Sequence, residues 1–147
     1  ARRSCGPLRL RSAVALFFKA AAPPRLYTLS LHAAIPISPL AGGVTAQQRP
    51  GAGLSPAYSA AADGNLQVRT ELETAVGPVA VTQVAGALAR RITSYLSEGQ
   101  QLAKGERIGI IHLGSRVDLE LPLGAEMVVK PGQKLQAGQT VARLAGS

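Results

Sequence analysis

Gly99-Gln100-Gln101-Leu102-Ala103-Lys104-Gly105-Glu106-Arg107-Ile108 returns thirty-three residues later as Gly132-Gln133-Lys134-Leu135-Gln136-Ala137-Gly138-Gln139-Thr140-Val141. Both copies read Gly-Gln-x-Leu-x-x-Gly-x-x-(Ile or Val). Each sets a glycine turn before a short strand and a second glycine turn before another. Glycine suits such turns because tight turns often need a positive φ. A solenoid requires about three repeats or more, so two units argue against one. They predict a mainly β, barrel-sandwich-hybrid-like fold of short strands, compact and pseudo-twofold.

Two strands are expected between the copies. Arg107 to Leu113 is apolar and bounded by glycine. Val117-Asp118-Leu119-Glu120-Leu121 alternates strictly, which places Val117, Leu119 and Leu121 inward and the two acids outward as solvated charges. Pro122 and Gly124 end that run, so Gly114-Ser115 falls at the junction of the two strands. Upstream, Asn65 to Glu73 alternates with Leu66, Val68, Thr70 and Leu72 on one face. Gly77-Pro78 reads as a turn and Val79 to Val84 as the next strand. Ala87-Leu88-Ala89-Arg90 favours a helical turn, so at most a short helix is expected near 86–91, followed by a strand from Arg91. Gln47 to Ala62, rich in Pro, Gly, Ser and Ala, reads as loop.

The first 38 residues differ in kind. They hold Arg2, Arg3, Arg9, Arg11, Lys19 and Arg25 with no acid, a charge of +6. Residues 39–147 hold ten basic and eight acidic residues, a charge of +2, so the chain's basicity belongs to this leader. Arg25 to Ser38 resembles a recurring translation of sequencing-adapter DNA. Residues 1–38 are therefore expected to be disordered or non-native, and 39–147 to be the working domain. Ala13 to Ala22 falls short of the roughly 20 apolar residues a spanning helix needs. A nucleic-acid partner is not expected, because the chain has no basic-aromatic surface pattern. The single cysteine, Cys5, excludes an internal disulfide. No Cys/His cluster has zinc spacing, and no metal site is expected.

A Gly-Ser bond between strands has a particular chemistry open to it. The serine hydroxyl can attack the preceding carbonyl and convert the amide to an ester. β-Elimination then releases the upstream chain, and hydrolysis of the remaining dehydroalanine leaves a pyruvoyl cap and ammonia. The dipeptide alone is a weak signal, since Gly-Ser is common and ordinarily marks a β-turn.

Its neighbours narrow the reading. Gln83-Val84-Ala85-Gly86, Ala89-Arg90-Arg91-Ile92, Glu98-Gly99, Gly105-Glu106-Arg107, Gly114-Ser115-Arg116-Val117-Asp118 and Leu121-Pro122 follow in order. Together they resemble the short, archaeal-type branch of the phosphatidylserine decarboxylase proenzymes, in its C-terminal part. The resemblance covers 39–147 and is strongest over 79–141. It implies cleavage between Gly114 and Ser115, giving a β chain ending at Gly114 and an α chain from Ser115 to Ser147 that stay associated. It implies a pyruvoyl group derived from Ser115, which forms a Schiff base with phosphatidylserine and acts as the electron sink for loss of carbon dioxide. The product is phosphatidylethanolamine. A peripheral position on the cytoplasmic side of a bacterial membrane is the implied location.

Other residues carry two readings each. His112 is a candidate base or an edge side chain. Arg116, like Arg90 and Arg91, is a candidate for the anionic head group or a solvated charge. The resemblance places the family's maturation histidine at position 34, which is Ala34 here, and the family's upstream acid has no counterpart before Asp63. Two alternatives follow: a truncated, inactive decarboxylase fragment, and a non-catalytic β-hybrid carrier or binding module. Lys104 and Lys130 lack the flanking residues a carrier lysine has.

Overall fold

In the strand Gln67–Thr74, Val68, Thr70, Leu72 and Thr74 are buried and the residues between them are not. That period of two is what an antiparallel strand with one covered face requires. The computed structural model describes residues 14–19, 25–30, 34–88, 90–113, 115–136 and 138–144. Its strands are β1 (Val14–Lys19), β2 (Arg25–Ser30), β3 (Gly42–Gln48), β4 (Gln67–Thr74), β5 (Gly77–Val84), β6 (Arg91–Ser94), β7 (Gln101–Leu102), β8 (Gly109–His112), β9 (Ser115–Glu120), β10 (Glu126–Met127) and β11 (Ala142–Arg143).

The large sheet runs β1-β2-β9-β5-β4-β3-β7, with every pairing antiparallel. Two small ladders, β6-β8 and β10-β11, complete the described strands. The architecture is mainly β and antiparallel, and the large sheet is not closed. β5 and β9 are inner strands: Val81 pairs with Leu119, Gln83 with Val117 and Val84 with Arg116.

The core gathers Val44, Leu72, Val79, Val81, Leu102, Ile108, Leu119 and Leu121. Each such aliphatic side chain contributes about 1.5–3 kcal/mol on burial. A second cluster, Val68, Ala85, Ile92 and Ile111, lies beneath the β6-β8 ladder.

The repeat is physical as well as textual. Gly99, Gly105, Gly132 and Gly138 have φ of 83°, 82°, 78° and 81°. Each is the third residue of a turn closed by a backbone hydrogen bond, from Gln100 to Ser97, Glu106 to Ala103, Gln133 to Lys130 and Gln139 to Gln136. In all four turns the fourth residue's side chain also accepts from the first residue's N–H, at 3.2, 2.9, 3.0 and 3.1 Å for Gln100, Glu106, Gln133 and Gln139. A positive φ at the third position is the requirement of a type II turn.

Three expectations are refined. The stretch near 86–91 forms a turn at Ala87-Leu88, and Arg90 takes φ 46°, which interrupts any helix; residue 89 lies outside the described residues. A 3-10 helix, Ala60–Gly64, lies instead in the segment read as loop. Within the leader, β1 and β2 pair with each other, and β2 lies along β9. An unpaired strand edge accepts any extended segment through its backbone, whatever the side chains. Residues 1–13, 20–24 and 31–33 lie outside the described residues.

Candidate active site at the junction of β8 and β9

The chain leaves the β6-β8 ladder at His112 and enters the large sheet at Ser115. Leu113 makes that transfer at φ 44°, and Arg90 holds φ 46° at the start of β6. Because Arg91 pairs with His112, these two residues flank the same end of one ladder. Left-handed backbone at a non-glycine residue costs on the order of 1–3 kcal/mol and concentrates at functional sites. Gly114 lies outside the described residues. Ser115 opens β9, where its backbone pairs with Ser30 of β2.

Arg116 follows at once and is 7% exposed. Its Nε donates to Asp118 Oδ1 at 2.8 Å and its Nη2 to Asp118 Oδ2 at 2.9 Å. Nη2 also reaches Asp63 Oδ1 at 2.5 Å, from the 3-10 helix. Burial works against the guanidinium's charge, but the bonds to Asp118 and Asp63 outweigh it and hold its pKa above the ordinary arginine value. Farther along the sheet, Arg69 binds Glu120 through two bonds of 2.7 and 3.0 Å. The hydrogen bond to Glu120 raises its pKa most, burial opposes this, and Glu71 adds to the rise.

These pairs correct the reading of Asp118 as a solvated outward charge: it is 8% exposed. It does point away from the aliphatic face. There it lies beside Arg116 and pairs with buried Thr82, on a polar face that β4, β5 and β9 share. Glu120 sits in the same row.

Asn65 is a second organiser. It is 1% exposed; its Oδ1 accepts from Ser55 N–H, and its Nδ2 donates to the Ser55 and Ala85 carbonyls at 2.6 and 2.9 Å. It fastens the 51–65 loop to the start of the 85–90 turn. Gly51 fits under it only because it has no side chain, since a Cβ there would overlap the Asn65 carbonyl.

Among the described residues, Ser59, Gln83 and His112 each hold a buried side-chain polar atom with no hydrogen-bond partner, and the last two lie near the junction. Gln83 is fully buried on the aliphatic side of β5, and neither Nε2 nor Oε1 is bonded. Its amide rests against Gly109, where a Cβ would come within 2.7 Å of Oε1. Gln83 pairs with Val117, so position 115 is its diagonal neighbour across the strands, within reach of a long side chain. Nε2 of His112 is likewise buried and unpartnered. Orphaned buried polar atoms cost about 1–3 kcal/mol each and call for an explanation.

Of the residues singled out in the sequence, His112 and Arg116 thus flank the Gly114-Ser115 bond. Ala34 comes to the same place: it exchanges two 2.9 Å backbone bonds with Ile111, one residue from His112. Asp63 and Asn65 were not legible, because their contacts span 53 and 20 residues and leave no local pattern. Gln83 was legible in part, as a lone amide in the apolar run Val79 to Val84. Among the described residues no three His, Cys, Asp or Glu side chains converge on a metal position, and no helix is long and apolar enough to cross a membrane.

Comparison with known proteins bears on this junction. The family model for phosphatidylserine decarboxylase matches residues 34–143. The chain is 44% identical over 103 residues to a phosphatidylserine decarboxylase proenzyme of Streptomyces coelicolor, covering 70% of this chain and 47% of that one. It is 46% identical over 104 residues to the proenzyme of Thermobifida fusca, covering 70% and 48%. A Methanococcoides burtonii protein assigned as an archaetidylserine decarboxylase proenzyme is 38% identical over 104 residues, covering 71% and 50%. The chain spans about half the length of these curated relatives. No solved structure matches it. The family match begins at Ala34 beside β8 and runs through the β8-β9 junction to the last described strand, so the chain belongs to the phosphatidylserine decarboxylase family.

Proposed function

We propose that this chain is the part of a phosphatidylserine decarboxylase proenzyme that cuts itself between Gly114 and Ser115 and turns Ser115 into the pyruvoyl group. The observation that carries the reading is the family match across the β8-β9 junction, beside which Leu113 and, across the β6-β8 ladder, Arg90 both hold left-handed backbone.

Ser115 Oγ adds to the Gly114 carbonyl carbon, the C–N bond breaks, and the freed amine takes up a proton. Loss of the Ser115 Cα proton then expels the Gly114 carboxylate from Cβ. The resulting dehydroalanine enamine gains a proton at Cβ and becomes an imine; water then replaces its nitrogen, which departs as ammonia, and a ketone caps residue 115. That pyruvoyl group supplies an electrophilic carbonyl able to draw electrons from the substrate's carboxylate-bearing carbon.

The residues nearby suit such a group. The unused Gln83 amide can donate to a carbonyl, and the His112 imidazole can exchange a proton. Arg116, next in the chain to Ser115, is tied to Asp118 and Asp63, which fixes its side chain. The substrate is phosphatidylserine and the product phosphatidylethanolamine. The protein acts peripherally, on the cytoplasmic side of a bacterial membrane. Cleavage leaves the two chains together: β9 belongs to the α chain, yet it is hydrogen-bonded to β5, and Leu119 within it and Leu121 just after it are buried in the common core.

The test is production of phosphatidylethanolamine and carbon dioxide from phosphatidylserine vesicles, with Ser115→Ala beside it. Activity in the parent and none in the variant supports the proposal; equal activity in both refutes it. A second reading, an inactive fragment, is favoured by alanine at position 34. Ala34→His separates the two, since the backbone already places that residue beside Ile111. A rise in processing by this variant identifies the missing group.

A further inference from the structure

The end of the large sheet that carries Ser115 differs from the opposite end. Leu88 is 85% exposed at the tip of the 85–90 turn, Leu113 is 48% exposed, and Tyr58 in the neighbouring loop is 74% exposed. Arg49, Arg90 and Arg91 are exposed around them. Topology brings these residues together. β4 begins and β5 ends here, because Gln67 pairs with Val84. Arg49 and Pro50 meet β4 where Gln67 N–H binds the Pro50 carbonyl, and Asn65 ties the Tyr58 loop to Ala85. Arg91 pairs with His112, next to Leu113. Asp63 and Asp118, two acids near this end, are both bound to Arg116. At the other end, Glu73 pairs with Pro78, Gly77 faces Pro122, and Leu123 stands exposed with Glu126 close after it in the chain.

We infer that the Ser115 end docks on an anionic phospholipid surface, with Leu88 and Leu113 entering the head-group layer and Arg90 and Arg91 pairing with lipid anions. Two features carry this. Exposed leucine at a turn tip gains by leaving water, and the left-handed backbone at Arg90 and Leu113 holds both outward at a position that costs conformational energy. The arginines supply the complementary charge: a basic residue near an anionic leaflet strengthens binding about fivefold. The inference rests on the proposed function in one respect, the choice of a lipid partner, and it places the reacting residue at the lipid interface.

The experiment is co-sedimentation of the full 147-residue chain with vesicles of phosphatidylcholine, alone or mixed with phosphatidylglycerol. Phosphatidylglycerol is anionic and carries no amine to decarboxylate, so docking is read apart from turnover. The chain is expected to sediment with the mixed vesicles and not with phosphatidylcholine alone. Leu88→Asp and the double variant Arg90→Glu/Arg91→Glu each weaken binding by about tenfold or more, while Leu123→Ser, at the opposite end, leaves it unchanged. Binding untouched by the first two variants, or lost equally in Leu123→Ser, overturns the inference. So does a concentration-dependent dimer that the same variants dissolve, which assigns the surface to a second copy. Docking without phosphatidylethanolamine formation from phosphatidylserine leaves this inference standing and defeats the proposed activity.

Discussion

Gln83 carries a cost to folding that the proposed chemistry would account for. An amide buried between Val68, Val117 and Gly109 with both polar atoms unbonded is unfavourable for folding. Gln83→Met keeps the volume and removes the orphan, so the melting temperature should rise, by an amount matching about 1–3 kcal/mol. Processing at Ser115 should fall in the same variant, as expected when a destabilising group is kept for its chemistry. A stabilised variant that processes normally would make Gln83 a packing residue only. The two acids on Arg116 give a contrast of burial. Asp118→Asn breaks a pair in which both side chains are about nine-tenths buried, and it should cost about 3–5 kcal/mol in urea unfolding. Asp63 is 62% exposed, and Asp63→Asn should cost less than about 1 kcal/mol. Sequence alternation correctly placed Asp118 on the polar side. It could not show that this side is covered, because Arg116, the partner of Asp118, is also bound by Asp63, 53 residues before it.

At the scale of elements, most strands were legible. β4, β5, β8 and β9 announce themselves by period-two burial or by apolar runs between glycines, since packing against the shared core is what selects those residues. The repeat was legible for the same local reason: a turn that demands positive φ leaves a glycine in the sequence. Gly99→Ala and Gly132→Ala should each lose about 1–2 kcal/mol by chemical denaturation, since both have open space but left-handed φ. Gly64→Ala, with open space and no left-handed φ, should lose less than either. The 85–90 turn misleads because Ala-Leu-Ala-Arg has good helical propensity. The chain overrides that preference with a left-handed Arg90, which turns it into β6 in register with β8. Leu113→Gly should relieve the matching strain across the ladder and leave folding stability unchanged or higher, read as urea midpoint, whereas Leu113→Val should lower it.

At the scale of the molecule, two sheets meet at one bond. The β6-β8 ladder delivers the chain to Gly114 and the large sheet receives it at Ser115, so cutting there severs a connection without removing a strand. The core is shared across that bond: Val79, Val81 and Leu102 lie upstream, and Leu119, Leu121 and Val129 downstream. Two cleaved chains should therefore co-elute in native gel filtration and separate only in denaturant. Sequence pattern placed Gly114-Ser115 between two strands, β8 and β9. It gave neither the docking of β2 on β9 nor the gathering of Ala34, Arg90, His112 and Leu113 at one end, because those follow from register between distant segments. The most direct test of the central claim is the intact mass of the purified 147-residue chain beside its Ser115→Ala variant. The account predicts a C-terminal piece covering 115–147, with a blocked, carbonyl-reactive N-terminus, in the parent alone. A single uncut chain in both, or the same cut in the variant, would contradict it.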